Sequence, residues 1–291
     1  MTSIILYAIN SNVRIKFWGT RGSIPAPGRE TVKYGGNTTC VEIRSGEGTC
    51  IIIDAGTGIR SLGKKLLKEG VREIHLLITH THWDHIQGFP FFGPAYRADT
   101  VIKIYGVPPT FEKLGKLLAG QMSFDYFPAE FHKLPATIEF VEIKKDGFLL
   151  KEFFIKSIET NHPLVTHAYR FEKGKKVFVF MTDNELDSQE IARVSWDEHV
   201  EFVKGADILV HDAQYTLEDF PRLKGWGHSS WQRTLEFAEE GKVEEVVLFH
   251  HDPERKDQEI DSILRKAKRI IQRNGYRLRV SAAREGRIIR M

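Results

Sequence analysis

His80-Thr81-His82-Trp83-Asp84-His85 puts four side chains able to ligate a metal within six residues. The run before it, Ile74-His75-Leu76-Leu77-Ile78, is short and aliphatic, the pattern of a buried strand. Gly88, Pro90, Gly93 and Pro94 then punctuate a loop with room for one helical turn. The ligands therefore follow the carboxyl end of a strand, where α/β folds place their sites.

The spacing itself carries chemistry. Imidazole nitrogens with carboxylate oxygens suit zinc, manganese or iron. Around a bend, His80 and His82 can point to one ion, while Asp84 and His85 reach a second about 3.5–4 Å away. Two divalent ions are therefore expected, able to activate water and to clamp a leaving oxygen. Asp84 can bind one ion and also accept a proton from the attacking water. A set of surface histidines in a turn is the competing reading, and three His with one Asp in six residues speaks against it.

The chain of 291 residues is read as one domain, 1–291. Its 41% apolar and 28% charged content is ordinary for a globular protein, and a net charge of +3 points to no polyanion-binding class. Only Cys40 and Cys50 are present, out of register across an expected hairpin centred near Gly46. No disulfide and a reducing cytoplasm are expected. Met1 to Ile9 is apolar but lacks the basic start and small-residue cleavage site of a signal peptide. No apolar run reaches about 18 residues, so no membrane span is expected.

In chain order, Val13 to Trp18 alternates as a strand, and Gly19 to Pro25 forms a loop in which Gly19 and Gly22 let backbone N–H groups approach an anion or simply turn. Strands follow at 40–44 and 50–54. Thr57 or Ser61 is expected to cap a helix that Gly70 ends. Asp54 is either an acceptor behind a ligating His or a turn residue. A strand at 101–106 and a helix from Pro108-Pro109 to about Ala119 come next, then the aromatic stretch Phe124 to Pro128, expected to pack rather than to roof a pocket. Strands are expected near 137–143, 153–159, 167–172 and 176–181, enough for a second sheet. Helices at 187–204, 229–240 and 256–273 alternate with strands at 207–211 and 243–249. The basic last helix reads as a solvated face, with a nucleic-acid groove as the minority reading.

A dinuclear centre needs further ligands just past strands. His162, Asp183 and His250 each fit, Asp183 as the bridging candidate. His251 is the neighbour that competes with His250, and the alternation of the preceding strand favours His250. His75, His132, His167 and His199 carry no comparable context. His211-Asp212 and Gly227-His228-Ser229 form a second polar constellation, in which Asp212 can hold His228 as a general acid for a leaving alkoxide. His228 at a helix start, with Ser229 or Ser230 capping, is the competing reading.

These motifs resemble a known superfamily. His80 to His85 is the His-x-His-x-Asp-His signature of metallo-β-lactamase-fold hydrolases, and the contexts of His162, Asp183 and His250 follow in that superfamily's order. The resemblance covers roughly 13–291 and implies an α/β fold, a four-layer αβ/βα metallo-β-lactamase sandwich with two mixed sheets. Gly19-Thr20-Arg21-Gly22, His211-Asp212-Ala213-Gln214 and Gly227-His228-Ser229-Ser230 are similar to the phosphodiesterase branch that holds the tRNA 3′-end endoribonuclease Z. Asp212 stands where that branch has Glu, and Gln214 where it has Thr. Leu248 to Pro253 is similar to its Leu-Thr-His-Phe-Ser-Pro element. The branch's tRNA-gripping arm lies between the third-motif His and the bridging Asp; here only 21 positions separate His162 from Asp183.

The resemblance implies a metal-dependent hydrolase of small or cyclic phosphodiesters. His80, His82 and His162 would hold one ion, Asp84, His85 and His250 the other, with Asp183 shared. Asp84, His228 and Asp212 would be the catalytic groups. An RNA-processing nuclease, a thioester or lactam hydrolase of the same fold, and a non-catalytic metal-holding protein are the alternatives. The expected partner is a small phosphodiester; nucleic acid is not favoured, no membrane is expected, and a homodimer is left open.

Overall fold

The computed structural model describes residues 12–144, 146–187 and 190–291. The reading of Met1 to Ile9 as no signal peptide falls outside the described residues.

Six strands appear first: β1 (Val13–Gly19), β2 (Cys40–Ser45), β3 (Cys50–Ile53), β4 (Glu73–Leu77), β5 (Val101–Gly106) and β6 (Thr137–Glu142). Seven more follow: β7 (Phe148–Leu150), β8 (Phe153–Glu159), β9 (His167–Lys173), β10 (Lys176–Met181), β11 (Ile208–Asp212), β12 (Glu245–Phe249) and β13 (Arg279–Ala282). The last strand, β14 (Ile288–Arg290), returns to the first group. The two sheets run β14-β1-β2-β3-β4-β5-β6 and β13-β12-β11-β10-β9-β8-β7. Each is mixed: β3 to β6 pair in parallel in one, β10 to β13 in the other, and the remaining pairs are antiparallel.

The helices are α1 (Ile59–Glu69), α2 (Trp83–Ile86), α3 (Thr110–Gly120), α4 (Trp196–Val203), α5 (Phe220–Leu223), α6 (Trp231–Glu240) and α7 (Asp257–Asn274). Three apolar clusters mark the layer boundaries. Ile15, Phe17, Ile43, Phe178, Phe180 and Phe249 pack between the sheets. Leu62 and Leu66 of α1 and Leu114 and Leu118 of α3 cover Ile52, Leu76 and Ile104 on the outer face of the first sheet. Leu235 of α6 and Ile263 and Ala267 of α7 cover Leu209, Val246 and Leu248 on the second. This is the expected four-layer sandwich.

Several local expectations need correction. The helix expected over 187–204 begins only at Trp196, capped by Ser195. The chain before it is held by Asn161, whose side-chain oxygen accepts the Arg193 and Val194 N–H groups at 2.8 and 3.1 Å. Neither Thr57 nor Ser61 caps α1; Gly58 stands at its N-cap, and the Thr57 hydroxyl instead accepts the Thr38 N–H. Gly70 ends that helix with φ 71°, as expected. In the aromatic stretch, Phe127 packs against Phe91, whereas Phe124 and Tyr126 are exposed. Strands β7, β13 and β14 and helix α5 had no sequence expectation.

Cys40 and Cys50 are both buried and unpaired, with Cys50 opposite Arg44 across β2 and β3. Among the described residues no helix is long and apolar enough to cross a membrane.

Candidate metal centre

The ends of strands from both sheets deliver the polar residues to one edge between the sheets. His80, His82, Asp84 and His85 follow β4, His162 follows β8, Asp183 follows β10, Asp212 ends β11 and His250 follows β12. Four non-glycine residues there hold a positive φ: Ser23 at 63°, Asp54 at 61°, Asp183 at 52° and His250 at 57°. Such backbone is held in place by its surroundings and collects at functional sites.

The side chains converge as overlapping groups. His80, His82 and His162 form one, Asp84, His85 and His250 a second, each with ligand atoms within 4.8 Å of one another. Asp183 stands between them. Its Oδ1 lies 3.8 Å from His80 Nε2, and its Oδ2 lies 3.3 Å from His85 Nε2 and 3.5 Å from His250 Nε2. His228 also falls within reach of Asp183 and His250.

Three of the rings are oriented from behind. His85 Nδ1 meets Asp54 Oδ2 at 2.7 Å, and the other Asp54 oxygen accepts the Thr79 N–H at 2.8 Å. Asp54 is thus an acceptor behind a ligand candidate rather than a turn residue. His250 Nδ1 meets Gln214 Oε1 at 2.9 Å, and His162 Nδ1 meets the Gly227 carbonyl at 3.2 Å. His251 points away, to the Ala283 carbonyl at 3.0 Å. Gly22 packs directly against the His250 ring, and Gly227, with φ 91°, against that of His162; a side chain at either would overlap the ring. The Ser23 N–H donates to Asp84 Oδ2 at 2.8 Å, so the glycine loop approaches a carboxylate of the protein itself.

The donor set fits divalent cations. His80 Nε2 and His85 Nε2 are buried and lack a hydrogen-bond partner. Burial pushes the His162 pKa down to about 4 and that of His80 well below its usual range, so both rings offer lone pairs at neutral pH. Burial alone would do the same to His85, but Asp84, Asp183 and Asp54 reverse it and raise the pKa well above normal. Among the described residues none lining this cavity is Lys or Arg, so ring nitrogens facing buried carboxylates make a pocket that stabilises positive charge.

His228 and Asp212 pair at 2.8 Å through Nδ1 and Oδ2. Asp212 Oδ1 accepts the Ser229 N–H, and Oδ2 that of Asp183, so the carboxylate is fixed from several sides. Burial lowers the His228 pKa, yet Asp212 first, with Asp183 and Asp84, holds it at about 9. Ser230, not Ser229, caps α6.

Sequence reasoning missed two residues here. In the sequence Gln214 shows only as a departure from a pattern. Glu185, fully buried, accepts the N–H groups of Gly225 and Gly227 at 2.9 and 2.8 Å and so shapes the loop that carries His228. Nothing marks a buried Glu in a loop sequence. His75, His167 and His199 are buried away from these groups, and His132 is at the surface.

Comparison with known proteins agrees with this architecture. A family described as the beta-lactamase superfamily domain matches residues 49–251. A ribonuclease Z of Clostridium tetani is 25% identical, over 85% of this chain and 91% of its own. The metallo-beta-lactamase fold protein YhfI from Bacillus subtilis superposes with a TM-score of 0.73 at 18% identity, covering 97% of this chain and all of its own. Unliganded yeast PDE1 superposes with a TM-score of 0.70 at 17% identity, covering 96% and 99%. With its fold, its clustered donors and the family match in agreement, the chain belongs to the beta-lactamase superfamily and has the metallo-β-lactamase fold.

Proposed function

We propose that this protein hydrolyses small or cyclic phosphodiesters, cyclic-nucleotide-like ones included, with two divalent cations, zinc foremost. His80, His82 and His162 would hold one cation, Asp84, His85 and His250 the other, and Asp183 both. Bound there, the cations would act as Lewis acids and would lower the pKa of water.

The chain's own groups handle the protons. Asp84 orients the attacking water and takes its proton as the new P–O bond forms. His228 gives a proton to the departing oxygen as the old P–O bond breaks. Asp212 holds the Nδ1 side of that ring, leaving Nε2 as the donor. The observation that carries the reading is this buried 2.8 Å pair beside the ligand groups. Thioester and lactam cleavage call instead for a carbonyl oxyanion site.

The ribonuclease Z relative supports an RNA-cleaving alternative. Against a large folded RNA stands the interval from His162 to Asp183, which β9 and β10 fill. The test is hydrolysis of bis(p-nitrophenyl) phosphate by metal-loaded protein beside a thioester substrate. Turnover that survives His82→Ala or Asp84→Ala unchanged removes the proposal.

A further inference from the structure

We infer that Trp83 and Trp226 form an aromatic clamp over the metal centre that selects phosphodiesters carrying a planar base. The inference rests on the phosphodiesterase reading and deepens it by naming a substrate class.

Both indoles line the same cavity of about 450 Å³ as His82, Asp84, His162 and His228. Both are left in solvent, Trp83 77% and Trp226 64% exposed. Tryptophan ordinarily buries most of its large apolar surface, so two exposed indoles on one polar cavity are unusual.

Their positions are built in. Trp83 stands between His82 and Asp84, so the ligand geometry fixes its backbone. Trp226 is the apex of a loop whose flanking glycines take φ 85° and 91°. The Glu185 carboxylate grips the N–H groups of both those glycines from below. A fully buried carboxylate thus anchors a loop whose largest apolar side chain is turned outward.

Charge argues for the occupant. None of the cavity's lining among the described residues is Lys or Arg. Nucleic-acid grooves usually gain affinity from such cations, with a steep salt dependence. Here the His and Asp floor is suited to the phosphate through cations, and beside Ser23 and Thr81 the two indoles offer the apolar surface for what the phosphate carries. A nucleobase presents a π-face of the right kind, and stacking on one aromatic side chain changes affinity roughly 5- to 150-fold.

The test compares adenosine 5′-monophosphate with ribose 5-phosphate by calorimetry on the metal-loaded protein. It also compares a dinucleoside monophosphate with its abasic analogue as substrates. Expected is binding of the base-bearing ligand at least about tenfold tighter, with little change between low and high salt. Trp83→Ala and Trp226→Ala should each lose about tenfold of that preference, mostly in KM, while Trp226→Phe keeps most of it. Phe124→Ala removes another exposed aromatic, outside the cavity, and should change nothing. Equal binding of the two ligands, or a preference untouched by both Trp variants, overturns the clamp. If dinucleotide and abasic analogue are cleaved equally well, the clamp falls and the phosphodiesterase reading stands. If neither is cleaved while the base-bearing ligand still binds through the two tryptophans, the phosphodiesterase reading falls and the stacking surface stands.

Discussion

Gln214 Oε1 lies 2.9 Å from His250 Nδ1, while His250 Nε2 faces Asp84 and Asp183 at 3.2 and 3.5 Å. The amide oxygen therefore selects the tautomer that carries its proton on Nδ1 and leaves Nε2 free to ligate. Removing an outer partner of this kind costs about 10–100-fold in metal affinity. Gln214→Leu should lose affinity in that range, read by competition with a chromophoric chelator. An unchanged affinity would show that packing against Gly22 and the Asp212 carboxylate, 3.5 Å from Nδ1, orient the ring without Gln214.

The His228–Asp212 pair makes a prediction that depends on the leaving group. A nitrophenolate departs without protonation; an alkoxide does not. In His228→Ala and Asp212→Ala, alkyl phosphodiesters should lose about 10²–10⁴ in kcat, and nitrophenyl esters much less. Metal content should stay at the wild-type level in both variants. Loss of metal in His228→Ala would make His228 a ligand, as its nearness to Asp183 and His250 allows.

Glu185 is buried beneath the loop that carries Trp226 and His228. Glu185→Ala would leave the Gly225 and Gly227 N–H groups without their acceptor. The buried Gly227 donor left so costs about 1–3 kcal/mol, the half-buried Gly225 donor less. A lower unfolding midpoint and a reduced kcat with metal retained are expected. Wild-type stability in that variant would show that water replaces the carboxylate without loss.

The parts of the centre legible in the sequence are those carried by local patterns. Four candidate ligands in six residues need no fold to be noticed, and His162, Asp183 and His250 each follow an apolar run that reads as a strand. The Ser195-Trp196-Asp197-Glu198 capping box was equally legible and marks the true start of α4. Helical composition upstream hid it, because the contact that prevents helix there comes from Asn161, more than thirty positions away. The return of β14 to β1 pairs Arg290 with Arg14, near opposite ends of the chain, and no short window contains that information. Gln214 and Glu185 look like ordinary loop polar residues until their burial is known.

Stability should also fall in mild acid for a reason separate from the metal centre. His167 is buried on β9, and burial pushes its pKa down to about 4, against about 6.5 for a solvated ring. The folded protein therefore binds fewer protons than the unfolded chain between those values. Unfolding stability rises with pH across this window, so the contribution is complete above about pH 6.5 and is lost as pH falls toward 4. From pH 7.5 to 5 this one ring should account for about 2 kcal/mol. In His167→Leu, whose side chain does not titrate, the fall measured by urea unfolding should be smaller by about that amount. Metal release affects wild type and variant alike and cancels in the difference. Parallel pH profiles for the two proteins would mean that His167 is protonated in the folded state, with a water or a displaced side chain meeting its buried Nδ1.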